Sequence, residues 1–423
     1  MDHFKYIVIG GGVSGLAFAN CIDEENTLLL EREAELGGYC RTIKRNGFVW
    51  DYAGHFFHFS KDETKRFFEG KIQREDLVER TKSTSIYFDD YLVDFPFQAN
   101  IHQLEKDKFI NCLVDLYEKS NDSSPSSFLE MLYAKFGKSI TELFLKPYNE
   151  KLYACNLDDL DVDAMGRFFP HVDFDDVMKS ISGVKVGSYN NTFLYPKNGA
   201  KVFIEALSDS IVKSKIRLRE QVESIDVYSK QVRTNKQVYS YDYLVNTMPF
   251  NLLLERLNVS EFYPLMKELT YNKVFVLNLG FDRKSNNTES HWIYFPQKDI
   301  SFYRVGFYDN ILNTDRLSMY VEIGLSPNEE LVESEILTRV ISDLKKVGII
   351  DTHELIDYEC ITMNPAYVHV SQKANSIKAD VKAKLDLHSI YSIGRYGDWK
   401  YCSIEDSMID AIDLAKKLEG VKG

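Results

Sequence analysis

Tyr6-Ile7-Val8-Ile9-Gly10-Gly11-Gly12-Val13-Ser14-Gly15 decides the fold. The unbroken apolar run Tyr6–Ile9 reads as a strand buried on both faces, and Val13 to about Cys21 reads as the helix that follows its glycine turn. Gly10, Gly12 and Gly15 fit G-x-G-x-x-G. The first makes the sharp turn, the second lets backbone approach a pyrophosphate, and the third lets the helix pack on the sheet. Val13 and Ser14 open the helix, where free N–H groups and a partial positive charge face phosphate. A second strand, Thr27–Leu30, ends at Glu31, whose carboxylate can accept hydrogen bonds from both ribose hydroxyls. Glycines alone are a weak signal; strand, helix and terminal acid together predict a dinucleotide site.

The bulk numbers set bounds on the rest. A chain of 423 residues implies about two or three domains. Its 44% hydrophobic and 27% charged residues are ordinary for globular proteins. The 51 basic and 64 acidic side chains leave a charge of -13, which disfavours nucleic acid or an anionic membrane as a partner. An anionic substrate would need a local cluster of Arg or Lys. No run of about 18 apolar residues predicts a membrane span. The N-terminus lacks the pattern of a signal peptide, because Tyr6–Ile9 runs straight into glycines. Six scattered cysteines show no metal-ligand spacing, so no metal site is expected and the cytoplasm is the expected compartment.

Along the chain, Asp62–Glu69, Ile101–Lys119 and Ser127–Phe136 read as helices, with a polar break at Asn121–Ser127. Val202–Lys213 is helical, Gln221–Val227 and Gln237–Tyr243 alternate like strands, and Leu244–Thr247 reads as a buried strand. Val274–Gly280, Trp292–Phe295 and Phe302–Phe307 suggest an antiparallel sheet. Asn328–Val347 is helical and Ile390–Gly394 is a last strand. Ser403 caps a final helix with Glu405 and Asp406 in its first turn. The expected class is α/β. A Rossmann-like dinucleotide-binding domain comes from separated segments, 1–60, 198–255 and 385–423. A mainly helical substrate domain spans 61–185, and an antiparallel β-sheet substrate domain spans 186–197 and 256–384.

FAD rather than NAD is indicated by Glu31-Arg32-Glu33-Ala34-Glu35-Leu36-Gly37-Gly38, which sets a glycine pair just after the ribose acid. This resembles the FAD-binding fold shared by amine oxidases, protoporphyrinogen oxidases and UDP-galactopyranose mutases. The resemblance implies that Gly37, Gly38, Tyr39, Arg41, Gly54 and Val222 line the cofactor. Arg32, counted among the cofactor-side residues, either faces the 2′-phosphate of an NADP or is solvated. Ser392-Ile393-Gly394-Arg395 is similar to the group's second cofactor segment, with Gly394, Arg395, Ser403 and Ile404 at the flavin side.

Several shorter motifs resemble UDP-galactopyranose mutase, more its eukaryotic-type branch. Ala53-Gly54-His55-Phe56-Phe57-His58 resembles the family's histidine loop, which sets His55 against the flavin. Asp94-Phe95-Pro96-Phe97-Gln98 resembles its uridine pocket, implying that Phe97 stacks on the base and Gln98 bonds its edge. Lys146-Pro147-Tyr148-Asn149-Glu150-Lys151-Leu152-Tyr153 adds Asn149 and Tyr153, with Tyr153 where the family usually has Trp. The resemblance also implies diphosphate-binding arginines at Arg167 and Arg304, a sugar contact at Asn190, and substrate contacts at Tyr294 and Tyr367. In Gly394-Arg395-Tyr396-Gly397-Asp398-Trp399-Lys400-Tyr401 it places Arg395 near flavin and substrate and Tyr401 on the diphosphate. Cys402-Ser403-Ile404-Glu405-Asp406 departs from the family's Gly-Asn-Gln run, which leaves the flavin-edge contacts open.

The implied reaction is a pyranose–furanose interconversion of UDP-galactose or a close analogue. In it, N5 of reduced FAD attacks the anomeric carbon while His55, Arg167, Arg304 and Arg395 serve the chemistry. NADPH or NADH would be the reductant, a nucleotide sugar the partner, and a homo-oligomer is one open possibility. An oxidase or dehydrogenase of the amine oxidase or protoporphyrinogen oxidase type is the alternative, and a non-catalytic escort protein of related fold is another.

Overall fold

A computed structural model describes residues 1–22, 25–119, 124–170, 172–184 and 191–420. Two seven-stranded sheets organise them. The first has Asp2–Ile9 at its centre, pairing in parallel with Thr27–Leu30 on one side and Val238–Asn246 on the other. All of Tyr6–Val8 and Leu28–Leu30 is buried, because helices cover both faces. The long strand Val238–Asn246 serves two neighbours. Its first half pairs antiparallel with Gln231–Thr234, and Leu244–Asn246 pairs in parallel with Ile390–Ser392. Segments far apart in sequence therefore end beside the glycine turn. The α/β class with a Rossmann-like sheet is the architecture observed.

The second sheet runs Leu355–Met363, Lys273–Phe281, Ser318–Leu325, Arg304–Phe307, Trp292–Tyr294, Thr84–Phe88 and Tyr91–Asp94. Its pairs are antiparallel except that Trp292–Tyr294 lies parallel to Thr84–Phe88. Leu77–Thr81, Thr84–Phe88 and Tyr91–Asp94 thus interrupt the stretch 61–185 read above as mainly helical. Thr84-Ser85-Ile86-Tyr87-Phe88 does alternate, burying Ile86 and Phe88, and it pairs on one side with its local hairpin partner Tyr91–Asp94 and on the other with the distant Trp292–Tyr294. Helices Asp62–Lys71, Lys106–Glu118, Phe128–Ile140, Lys146–Tyr153 and Phe174–Ile181 occupy the remainder of that stretch.

A buried carboxylate joins the last helix to the first helix of this insertion. Glu405, in the first turn of Ile404–Glu419, is 1% exposed and accepts bonds from the backbone N–H groups of Ser60 and Lys61 and from the Ser60 and Thr64 hydroxyls. It thereby caps Asp62–Lys71, whose own N-cap, Lys61, has no side chain able to do so. Burial opposes the charge, but these bonds outweigh it and hold the carboxyl below its ordinary value of 4.5. We expect Glu405→Gln to cost about 2–3 kcal/mol at neutral pH, since an amide turns two donors toward donors. A depressed carboxyl stabilises the fold above its unfolded pKa and loses that contribution in acid. The gap between wild-type and variant melting temperatures should therefore narrow from pH 7 to about pH 4; a gap that widened would refute this role.

Candidate cofactor and substrate site

The glycine turn and the glycine pair face each other. A Cβ on Gly38 would stand 3.6 Å from the Cα of Gly12, and Gly37 N–H donates to Gly11 O at 2.8 Å. Gly10 adopts φ +102°, and a Cβ on Gly15 would meet Gly10 O at 2.0 Å, so helix and strand touch through bare backbone. Glu31 is buried at the strand end, with Oε2 accepting from Gly11 N–H at 2.7 Å and Oε1 from Glu33 N–H at 2.8 Å. Each oxygen keeps a second lone pair for a ribose hydroxyl. Gly394 closes the same corner, where a Cβ would fall 2.1 Å from Ser14 Oγ. Arg41 Nε is buried without a hydrogen-bond partner beside this cradle, with Glu35 Oε1 at ion-pair distance, 3.9 Å. These groups fit FAD: a backbone cradle in which Gly10, Gly15 and Gly394 leave no room for a Cβ, a buried acid, and a guanidinium N–H free to donate. Arg32 is instead 57% exposed and pairs with Glu33, the solvated of its two alternatives.

Beyond the cradle, guanidiniums and phenols converge. Strands Trp292–Tyr294 and Arg304–Phe307 set Tyr294 opposite Arg304. Arg304 grips Glu322 on the next strand through both Nε and Nη2, the latter at 2.7 Å. Glu322 is 1% exposed, whereas 21% of the Arg304 side chain remains accessible. Burial works against the charge on Arg304, but Glu322 and the surrounding tyrosines outweigh it and push its pKa up. Arg395 lies over the rings of Tyr401 (4.8 Å), Tyr367 (5.3 Å) and Tyr396 (6.0 Å), and Nη1 donates to Cys402 O. Tyr367 and Tyr401 stack at 5.9 Å. Burial is the main cause that raises the Tyr401 phenol to about 12 and lifts Tyr294, so both hydroxyls keep their protons as donors.

His55 sits under the same field. Its Nδ1 lies 2.8 Å from Ala53 O, and a carbonyl can only accept, so Nδ1 carries the proton and Nε2 the lone pair. Burial, reinforced by Arg395 and Arg304, pulls its pKa to about 4 against the help of that carbonyl.

Not every expected residue reaches this chamber. Phe97 is 0% exposed, wedged between Phe144 (5.0 Å) and Phe88 (5.4 Å), so it is a core side chain with no face to offer a base; its stacking role is corrected. Gln98 is buried and spends its Nε2 on Pro170 O. Asn149 turns its Nδ2 back to Leu145 O. Tyr153 lies behind Tyr367, with its ring at 5.9 Å. Arg167 stands at the rim, 45% exposed and paired with Asp406 at 2.6 Å, while Phe168 beside it touches Tyr401. Tyr39 accepts from Asn364 N–H and meets Tyr396 edge-on. Ser403 forms a capping box with Asp406 ahead of Ile404, and Val222 is buried at the start of its strand. Asn190 lies outside the described residues.

Sequence reasoning missed Tyr148, whose ring meets Tyr294 edge-on at 5.0 Å, and Glu322 and Tyr320, which share one face of Ser318–Leu325. Tyr148 stood inside a quoted motif, and the i, i+2 spacing of Tyr320 and Glu322 was available but unremarkable without the Arg304 partner.

A family model described as flavin containing amine oxidoreductase matches residues 13–360, and the chain belongs to that family. Protoporphyrinogen oxidase 2, chloroplastic/mitochondrial, of Arabidopsis thaliana is 22% identical over 81% of this chain and 80% of its own length. Among solved structures, that of a reduced UDP-galactopyranose mutase superposes with a TM-score of 0.93 at 23% identity, covering 99% of this chain and 94% of the other. A putative protoporphyrinogen oxidase from Exiguobacterium sp. 255-15 superposes at 0.81 with 18% identity, covering 100% and 99%. At such identities the likeness establishes the fold. Among the described residues, no helix is long and apolar enough to cross a membrane.

His55 should therefore remain neutral, as the Nδ1–H tautomer, across the physiological range. Nitrogen-15 spectra of the holoprotein, with the signal assigned through His55→Ala, should show no titration from pH 8 to about 5. A midpoint near the ordinary 6.5 would mean that the chamber is wetter than its geometry implies.

Proposed function

We propose that this protein is a flavin-dependent nucleotide-sugar mutase, interconverting pyranose and furanose forms of UDP-galactose or a close analogue. The observation that carries this reading is the nearness of two guanidiniums to one set of phenols: Tyr294 lies opposite Arg304, Arg395 lies over Tyr367 and Tyr401, and these two tyrosines also lie within the field of Arg304. A chain of charge -13 has concentrated cationic and phenolic donors at one point, as an anionic, oxygen-rich ligand requires. The fold it shares with the solved reduced mutase supports the same reading.

When bound in its reduced form, FAD supplies a nucleophilic ring nitrogen for the anomeric carbon. The side chains then have to manage charge. As the bond from the anomeric carbon to the diphosphate breaks, negative charge gathers on the departing UDP, and the guanidiniums of Arg304 and Arg395 hold it with the three tyrosine hydroxyls. These donors are set before reaction by Glu322, Cys402 O and the ring stack, so little reorganisation is needed. Arg167 closes from the rim by exchanging Asp406 for phosphate. Neutral His55 accepts a hydrogen bond through Nε2 rather than carrying a proton. NADPH or NADH keeps the cofactor reduced.

The protein reduced with dithionite or NADPH under argon should convert UDP-galactofuranose to UDP-galactopyranose, and the oxidised protein should not. Steady oxygen consumption on an amine or a porphyrinogen, without sugar interconversion, would instead establish the oxidase alternative. Arg304→Lys keeps a charge against Glu322 but loses the planar fork. It should lower kcat/KM by about a hundredfold with FAD still bound; loss of FAD would show that Arg304 serves the cofactor rather than the substrate.

A further inference from the structure

We propose that Lys151 is a positioning residue that sets the spacing of Tyr294 and Arg304 by holding the chain segment between their strands. The inference rests on the nucleotide-sugar reading of that pair. Lys151 Nζ donates to the carbonyl oxygens of Phe295 (2.9 Å), Gln297 (2.8 Å), Ile300 (3.0 Å) and Phe302. An ammonium has three hydrogens, so four acceptors surround it completely and at least one hydrogen is shared. All four carbonyls belong to the connection that leaves one strand at Tyr294 and enters the next at Arg304, the two residues paired across the ladder. Moving this connection moves both.

The partner helix is part of the same site. Lys151 belongs to Lys146–Tyr153, which also carries Tyr148 against Tyr294 and Tyr153 against Tyr367. The helix end holds two further site segments. Leu152 O accepts from Asn272 Nδ2 at 2.6 Å, and Asn272 Oδ1 accepts from Tyr367 N–H at 2.8 Å. A Cβ on Gly324 would fall 2.1 Å from Lys151 O, so the strand bearing Tyr320 and Glu322 runs against the same turn. One helical turn thus gauges the distances among Tyr294, Arg304, Glu322 and Tyr367. Lys151 is its only charged donor to the connection, and charge-assisted bonds to carbonyls resist the small shifts that neutral packing would allow. Burial disfavours the ammonium, pulling its pKa to about 7 with Asp343 and Asp299 opposing, and the carbonyl oxygens offset that cost locally.

The test uses the FAD-loaded protein and the variants Lys151→Met, of similar length without donors, and Lys151→Gln, a shorter donor in case the first does not fold. Hydrogen exchange in the peptide spanning 295–303 should quicken about tenfold while the sheet around Asp2–Ile9 keeps its rate. UDP affinity and KM for the nucleotide sugar should weaken about tenfold, with kcat within about twofold and FAD content unchanged. Unchanged exchange in 295–303 would overturn the proposal, as would a fall in kcat and FAD content at constant KM, which marks general damage. If wild-type protein neither binds UDP nor turns over, the nucleotide-sugar reading fails, and the exchange result alone then decides whether Lys151 holds the connection.

Discussion

Enclosing the guanidiniums of Arg304 and Arg395 in one chamber is the constraint on which this architecture depends. Removing charge from water is costly unless geometry and partners compensate. Arg304 is compensated by a two-point grip on buried Glu322, and Arg395 by Cys402 O and the faces of Tyr367, Tyr396 and Tyr401. Arg304 is held by a carboxylate and Arg395 by a carbonyl and ring faces, which leaves the chamber cationic inside an acidic protein. Phenols suit this setting because they offer ring faces to the cations while their hydroxyls stay protonated and able to donate.

Keeping such a chamber in register requires supports from distant parts of the chain. The ladder joining Trp292–Tyr294, Arg304–Phe307 and Ser318–Leu325 sets one wall. The helix Lys146–Tyr153 sets a second through Lys151 and Asn272, and the segment after Ile390–Ser392 brings in Arg395 and Tyr401. That last segment also touches the cofactor cradle at Ser14, so the cradle and the cationic chamber are built on one piece of backbone. The cradle and the cationic residues are thereby mechanically linked, while Glu405 ties the helix Ile404–Glu419 to the segment that follows His55 and His58.

Local signals explain what was legible in advance. The strand, glycine turn and helix from Tyr6 to Ala19 depend on contacts among neighbours, and their reading matches the structure. The same holds for the Ser403 cap with Asp406. Phe97 failed because a motif states which residues stand together, not which face is left open; its ring is consumed by Phe88 and Phe144. The strands at Leu77–Asp94 were missed because short runs are weak signals: Leu77–Thr81 takes its ladder from the distant Thr192–Pro196, and the hairpin Thr84–Asp94 is joined to its sheet through Trp292–Tyr294.

By itself, then, the sequence determined a dinucleotide cradle, since glycine spacing and a terminal acid are properties of consecutive residues whose sterics admit few alternatives. It also determined the cluster requirement: an acidic chain can hold an anion only where arginines are gathered. Which arginines gather, and around what, was decided by tertiary structure. Strand register set Tyr294 against Arg304, and sheet order brought Glu322 beside it. Burial drew His55 to its neutral form and kept Arg167 at the rim with Asp406. Electrostatics depends on distance and dielectric, and both exist only once the chain has folded.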